Sequence, residues 1–180
     1  MDVEIYSKSN FVFCDKAKMR LSRENPKIHM LDTDYTKEDF FKSGVCISGD
    51  CKIDFGVKKF NDGTVYFGSW WNDLPSGHGT IIWSDGTIYV GNFLAGEYHG
   101  DGTYMTPQQF YIGEFKNDVV NGNGSFFTTN GVYVGEFYNG LYEGKGFFLN
   151  RNGEISEGKY LKGNIVGNLT YKTDGTLLNK

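Results

Sequence analysis

The chain has 180 residues, 39% hydrophobic and 17% aromatic, which is enough to form the core of one or two folded domains and excludes a disordered tail. The sequence contains twenty-five glycines and only three prolines. The glycines show no Gly-X-Y period, which excludes collagen, and their number indicates many tight turns. The formal net charge of −4 argues against a nucleic-acid partner, because general nucleic-acid binders carry a basic face.

Residues 1–42 are predicted to form a separate amino-terminal segment, because they contain almost no glycine. The stretch from Asn10 to Cys14 predicts a short strand, and a capping box from Thr36 to Asp39 predicts a turn or two of helix. A basic cluster in residues 16–27 is a candidate contact for anionic lipid, although charge runs are more often simply solvated. The cluster consists of Lys16, Lys18, Arg20, Arg23 and Lys27.

The three cysteines, Cys14, Cys46 and Cys51, are odd in number and contain no Cys-x-x-Cys pair. We therefore expect neither a disulfide framework nor a zinc site, and cysteines that stay reduced. The amino terminus has no basic start followed by an apolar segment, and no apolar run in the sequence is long enough to cross a bilayer. The predicted location is accordingly intracellular and cytoplasmic.

From residue 43 onward one motif recurs: Tyr-x-Gly-x-(Trp/Phe), a short polar loop, and then Gly-x-Gly-x-aromatic. Units begin near residues 66, 89, 111, 133 and 156, and their anchor glycines are 23, 22, 22 and 23 residues apart by subtraction. These anchors are Gly68, Gly91, Gly113, Gly135 and Gly158. Residues 43–65 form a degenerate first unit that keeps Gly56 in register but lacks the aromatic half of the motif. The repeat domain is therefore assigned to residues 43–180.

Each unit has the features of a β-hairpin, with alternation at period two and glycine-containing turns. In the 23-residue step, Ile81 must pair near Tyr89, which leaves the three-residue loop Ser84–Gly86 with glycine in the left-handed position. A 22-residue step needs an even loop instead, and Thr106–Gln109 supplies one, with Pro107 at the first central turn position. The sequence thus predicts an all-β fold, an elongated and twisted single-layer antiparallel meander of hairpins.

This template resembles the MORN repeat (membrane occupation and recognition nexus) over roughly residues 43–178. Units starting at Tyr66, Tyr89, Tyr111 and Tyr133 match at every anchor, whereas the last unit, with Ser156 in place of tyrosine, departs most, as a terminal cap does. The resemblance implies a scaffold or adaptor in a cytoskeletal, ciliary or membrane-cortex assembly, or a regulatory subunit beside an enzyme. The family's name suggests the alternative, a phospholipid-binding membrane adaptor.

The tyrosines and glycines of the template share one face of the predicted sheet, here called the aromatic face. The opposite face carries apolar rows, here called the apolar ribbon: Val65, Phe67, Ile82, Ile88, Val90, Met105, Phe110, Ile112, Phe127, Val132, Val134, Phe147, Leu149 and Ile155. Beside the ribbon runs a polar margin: Ser69, His78, Asn92, Asp101, Glu114, Asn123, Glu136 and Lys145. Either residues 1–42 lie over the ribbon or part of it stays open for a partner.

A protein partner, such as an amphipathic helix, or a second copy of the chain is expected on this ribbon. The predicted contacts are Phe67, Val90, Met105, Ile112, Phe127, Val134 and Leu149, with Glu114 and Glu136 holding a basic edge of the partner. The ribbon is expected to stop at the last unit, where Glu157 and Lys172 take the corresponding places.

No catalytic, cofactor or metal site is predicted, and the protein is not expected to be an enzyme. His29, His78 and His99 have no carboxylate or cysteine at metal-ligand spacing. The Gly-x-Gly strings are followed by predicted strands, whereas a phosphate site needs a helix at that point. Residues 43–180 contain ten Lys or Arg and fourteen Asp or Glu, so an anionic membrane repels them. Membrane association is therefore left to the basic cluster alone and is not favoured.

Overall fold

A computed structural model describes residues 37–172 and 174–179. In this part of the chain a short helix, α1 (Lys37–Lys42), precedes thirteen strands that form one antiparallel sheet. The strands are β1 (Val45–Gly49), β2 (Phe55–Lys59), β3 (Val65–Trp71), β4 (Leu74–Ile82), β5 (Ile88–Leu94), β6 (Glu97–Met105), β7 (Phe110–Lys116), β8 (Val119–Thr128), β9 (Gly131–Tyr138), β10 (Leu141–Asn150), β11 (Ile155–Leu161), β12 (Asn164–Tyr171) and β13 (Leu177–Asn179). Neighbours in the sheet are neighbours in sequence throughout, so the predicted all-β antiparallel meander is confirmed.

The loops that join one repeat to the next have the predicted lengths. Ile81 pairs with Tyr89, and the loop Ser84–Gly86 ends in a glycine with φ of 86°, the left-handed conformation that a three-residue hairpin loop requires. In the following 22-residue step the amide of Thr106 donates to the carbonyl of Gln109 at 2.8 Å, which closes a two-residue loop. One residue of repeat length is therefore absorbed in the loop, and the register of the strands is unchanged.

In the five hairpins from β3–β4 to β11–β12, the turn has two residues, both with φ between 50° and 87°, the type I′ geometry. These turns are Asn72-Asp73, Ala95-Gly96, Asn117-Asp118, Asn139-Gly140 and Lys162-Gly163. The amide of the second turn residue donates to a carbonyl of the preceding repeat, as from Gly96 to Pro75 at 2.8 Å and from Gly140 to Val120 at 2.9 Å. Each turn thus joins its repeat to the one before it.

The aromatic face is the core of the molecule. Tyr66, Tyr89, Tyr111 and Tyr133 are at most 1% exposed, and each ring lies over a glycine of the next strand. The Tyr89 hydroxyl donates to the carbonyl of Asn92 at 2.8 Å, and the other three tyrosines make the equivalent bond. The glycines pair in one row from β1 to β11: Gly49, Gly56, Gly68, Gly79, Gly91, Gly102, Gly113, Gly124, Gly135, Gly146 and Gly158.

A second buried row lies beside the tyrosines and was not identified from the sequence. It occupies the second position after the first four type I′ turns and contains Pro75, Tyr98, Val120 and Tyr142. Where this position is a tyrosine, its ring stacks on the tyrosine of the same repeat, with centroids 3.7 Å apart for Tyr89 and Tyr98 and for Tyr133 and Tyr142. A single-layer sheet therefore buries its rings against one another and against glycine backbone.

Helix α1 packs on the aromatic face at the first repeats. Phe40 stacks on Phe60 with ring centroids 4.5 Å apart, and the buried Lys58 ammonium donates to the Phe41 carbonyl at 2.6 Å. Burial lowers the pKa of Lys58. The described end of residues 1–42 thus contacts the face opposite the ribbon. The predicted strand Asn10–Cys14 and the basic cluster of residues 16–27 lie outside the described residues.

Cys46 and Cys51 form a disulfide bond, so the expectation of reduced cysteines is wrong for this pair. Cys51 is 5% exposed, and a Cβ added to Gly56 would lie 2.9 Å from its Sγ. Gly56 belongs to the glycine row, where the later repeats place a tyrosine ring over the corresponding glycine, such as Gly79. In the degenerate first hairpin the disulfide therefore occupies the place of the missing aromatic ring.

Candidate protein-binding face

The apolar ribbon forms two rows that run across the strands. The first row takes one residue from each strand from β3 to β12: Val65, Ile82, Ile88, Met105, Phe110, Phe127, Val132, Leu149, Ile155 and Tyr171. The second row contains Phe67, Thr80, Val90, Thr103, Ile112, Ser125, Val134, Phe147, Glu157 and Leu169. Strand alternation places both rows on the face opposite the tyrosines.

The predicted contact residues lie together on these rows and are accessible. Phe67, Ile112, Val134 and Leu149 are 39%, 47%, 39% and 43% exposed. Val90, Met105 and Phe127 are half-buried, and the Phe127 ring stacks on Phe110 with centroids 4.1 Å apart. A contiguous exposed apolar surface of this kind is typical of interaction sites.

The ribbon continues into the last repeat, and the expectation that it stops there is wrong. Ile155 pairs with Tyr171, so a tyrosine occupies the row position expected for Lys172. Glu157 interrupts only the second row, which resumes with Leu169 on the next strand. The two apolar rows therefore extend to β12.

The acidic residues of the polar margin already have contacts within the chain. The Glu114 carboxylate accepts the amide N–H of Asn123 at 2.7 Å, and the Glu136 carboxylate accepts that of Lys145 at 2.9 Å. Both bonds lie at irregularities of the ladder, where Asn123 has no paired residue on β7 and Lys145 has none on β9. Their predicted contact with the basic edge of a partner stays a prediction.

An exposed apolar row at the type I′ turns was missed, because this end of each hairpin was predicted to be polar. Trp71, Leu94, Tyr138 and Leu161 are 67%, 54%, 60% and 49% exposed. They share one position in the motif, directly after the buried aromatic that follows the anchor glycine, and Lys116 occupies it in the third complete repeat. This recurrence in the sequence was the signal from which the exposed row could have been predicted.

Metal-ligand groupings and membrane-spanning helices were not found among the described residues. No three His, Cys, Asp or Glu side chains in residues 37–172 and 174–179 are grouped to hold a metal ion. Within the same ranges no helix is long and apolar enough to cross a membrane. His78 is exposed on the polar margin and His99 is half-buried, so the two histidines do not share an environment.

Comparison with known families agrees with this geometry. The MORN repeat matches residues 66–88, 89–108, 111–132 and 133–155, which begin at the four repeats whose tyrosines cover glycines. A search of curated proteins gave no match to this chain. MORN repeats are in general modules that interact with proteins or membranes, and the family is generally non-catalytic. The chain belongs to the MORN-repeat family.

Proposed function

We propose that the chain is a non-catalytic scaffold or adaptor that binds a protein partner through the apolar ribbon. The observation that carries the proposal is the difference between the two faces of one sheet. The aromatic face forms the core, where Tyr66, Tyr89, Tyr111 and Tyr133 are at most 1% exposed, whereas ribbon residues such as Ile112 remain about half exposed. Because the rings are interior, the proposal places the partner on the ribbon and not on the aromatic surface.

The setting we propose is intracellular and cytoplasmic, in a cytoskeletal, ciliary or membrane-cortex assembly or beside an enzyme as a regulatory subunit. The support for this setting is the kind of assembly that the MORN-repeat resemblance implies.

Replacing Ile112 and Val134 together by aspartate is expected to abolish partner capture without unfolding the sheet. Both side chains are exposed, at 47% and 39%, so the substitution puts charge on the ribbon and leaves the core intact. Proteins captured from native cells by the tagged wild type and the double variant are compared by mass spectrometry, with circular dichroism as the check on folding.

Leu94→Asp is the matched control, because Leu94 is 54% exposed but lies at a turn outside the ribbon. A partner kept by Leu94→Asp and lost by the double variant supports the ribbon. Equal capture by all three proteins contradicts the proposal.

The second candidate is a phospholipid-binding membrane adaptor that uses Lys16, Lys18, Arg20, Arg23 and Lys27. Exposed Trp71 and Tyr138 favour it, because tryptophan and tyrosine are enriched where proteins meet the membrane interface. The excess of acidic residues in the repeats opposes it.

We expect the full chain not to co-sediment with phosphatidylserine vesicles at physiological salt. Neutral phosphatidylcholine vesicles and a variant with the five basic residues changed to glutamine are the controls. If the chain binds the anionic vesicles, and this binding is lost both at high salt and in the glutamine variant, the expectation is wrong and the membrane-adaptor function is supported.

A further inference from the structure

We propose that the occupant of the apolar ribbon is a second copy of the chain, packed face to face about a two-fold axis that runs parallel to the strands between β8 and β9. This inference rests on the proposed function, because it names the partner of the same surface. The order of charges along the polar margin points to this occupant.

Three like-charge pairs lie on the ribbon face, one of them Glu136 of β9 opposite Glu143 of β10. The other two have opposite signs and lie in one row. Asp101 of β6 is directly opposite Glu114 of β7, and Lys145 of β10 is directly opposite Lys159 of β11. Like charges at opposed positions of adjacent strands destabilise a sheet. One chain therefore carries an acidic pair and a basic pair, each of which is unfavourable by itself, on a single exposed face.

The proposed axis brings these two pairs together. Rotation about a line between β8 and β9 places β6 on β11 of the second copy and β7 on β10. Asp101 then faces Lys159 of the second copy, and Glu114 faces its Lys145. Each contact occurs twice in the dimer, because the interface is its own complement. A two-fold axis at this position thus gives these two pairs partners of opposite charge, and it places Glu136 opposite Asn123 of the second copy.

The same rotation matches the apolar rows. Phe110 on β7 meets Leu149 on β10 of the second copy, and in the next row Ile112 meets Phe147. Glu157, which interrupts the second row, meets Thr103 and so has a polar neighbour. Two sheets that pack with nearly aligned strands, about 10 Å apart, allow such facing rows to interlock.

The overlapping surface is large enough for a stable dimer. The axis superimposes β5 to β12 of one copy on β12 to β5 of the other. At a strand spacing of about 4.8 Å and with three residue rows about 7 Å apart, this surface is about 750 Å² per copy. Specific interfaces bury about 1,200–2,000 Å² in total, so the ribbon and its margin suffice.

Charge exchange tests the proposal in the full-length chain. Sedimentation velocity over a concentration series should show the wild type passing from the 20.3 kDa monomer to twice that mass. Asp101→Lys and Lys159→Glu should each raise the dissociation constant about tenfold or more, since each creates two repulsive contacts per dimer. The variant with both substitutions should return to within about threefold of the wild-type constant.

Lys172→Glu is the matched control for charge, since this exposed lysine follows β12 and lies outside the margin. A wild type that stays monomeric, a dimer that neither single variant weakens, or a double variant that is not rescued overturns the proposal. If the chain is monomeric but still captures a partner that depends on Ile112 and Val134, the dimer is wrong and the proposed function stands. If capture is also independent of these residues, both fail.

Discussion

Raising the pH from about 9 to about 12 is expected to unfold the sheet in one steep step. Six tyrosines have raised pKa values because burial disfavours the phenolate: Tyr66, Tyr89, Tyr98, Tyr111, Tyr133 and Tyr160. For Tyr160 burial raises the pKa to about 12. Charges on nearby carboxylates raise the pKa of Tyr89 and of Tyr111 further.

Proton linkage determines the direction in which the free energy of unfolding changes with pH. Above pH 10 the unfolded chain has lost these protons while the folded chain keeps them, so the free energy of unfolding falls as the pH rises. One retained proton lowers it by about 1.4 kcal/mol per pH unit, and six lower it by about 8 kcal/mol per unit. A stability of about 5–15 kcal/mol is therefore exhausted within about two pH units above 10.

Tyrosinate absorbance and far-ultraviolet circular dichroism should change together in this titration. Tyr111→Phe removes one titrating hydroxyl and should make the pH dependence shallower by about 1.4 kcal/mol per unit. Tyr138→Phe is the control, because Tyr138 is 60% exposed and its loss should leave the transition unchanged. Ionisation of all tyrosines near pH 10 with a native spectrum would contradict burial of the hydroxyls.

Adding a single methyl group at Gly91 is expected to destabilise the fold severely. A Cβ at this position would lie 2.6 Å from the Cα of Gly102, 2.7 Å from the carbonyl oxygen of Asp101 and 2.6 Å from the Tyr89 hydroxyl. Two of these three atoms are backbone of the adjacent strand and cannot rotate away. We expect Gly91→Ala to cost about 3 kcal/mol or more and to lower Tm by about 6–12 °C in thermal unfolding.

Gly86→Asn is the control, since no atom lies within 4 Å of a Cβ at Gly86 and its φ of +86° is one that asparagine tolerates. Its cost should stay below about 1 kcal/mol. Equal melting temperatures for Gly91→Ala and the wild type would show that the paired glycines are further apart than the structure places them.

The register of the sheet was predictable because repeat length and turn chemistry constrain it jointly. A 23-residue step together with Asp85-Gly86 allows only an odd loop, and the pairing of Ile81 with Tyr89 follows. The sign of the cost of filling Gly91 was predictable, because the template places tyrosine rings and glycines on one face. The Cα of Gly102 adds to it, and that contact requires the distance between two backbones, which no residue pattern contains.

Features that break the repeat could not be derived from it. The disulfide of Cys46 and Cys51 depends on a loop in the one hairpin that lacks the template, so no equivalent position predicted it. A glutamate such as Glu114 beside an apolar surface suggests a partner contact, but at the local irregularity of the ladder its carboxylate accepts the amide N–H of Asn123. The turn Asn117-Asp118 was readable, because paired Asn and Asp residues favour left-handed conformations, but it was treated only as a polar loop.

The amide of Gly140 that reaches back to Val120 shows how far any contact of this sheet extends, which is one repeat. Among the described residues the strands contact chiefly the strands that precede and follow them, so the separation of the two ends of the meander depends on the number of hairpins between them. Excising residues 111–132 would join Phe110 to Tyr133 and leave every row continuous. The width of the sheet across its strands therefore changes by about 10 Å with each hairpin gained or lost, while each repeat determines the chemistry of its own part of the surface.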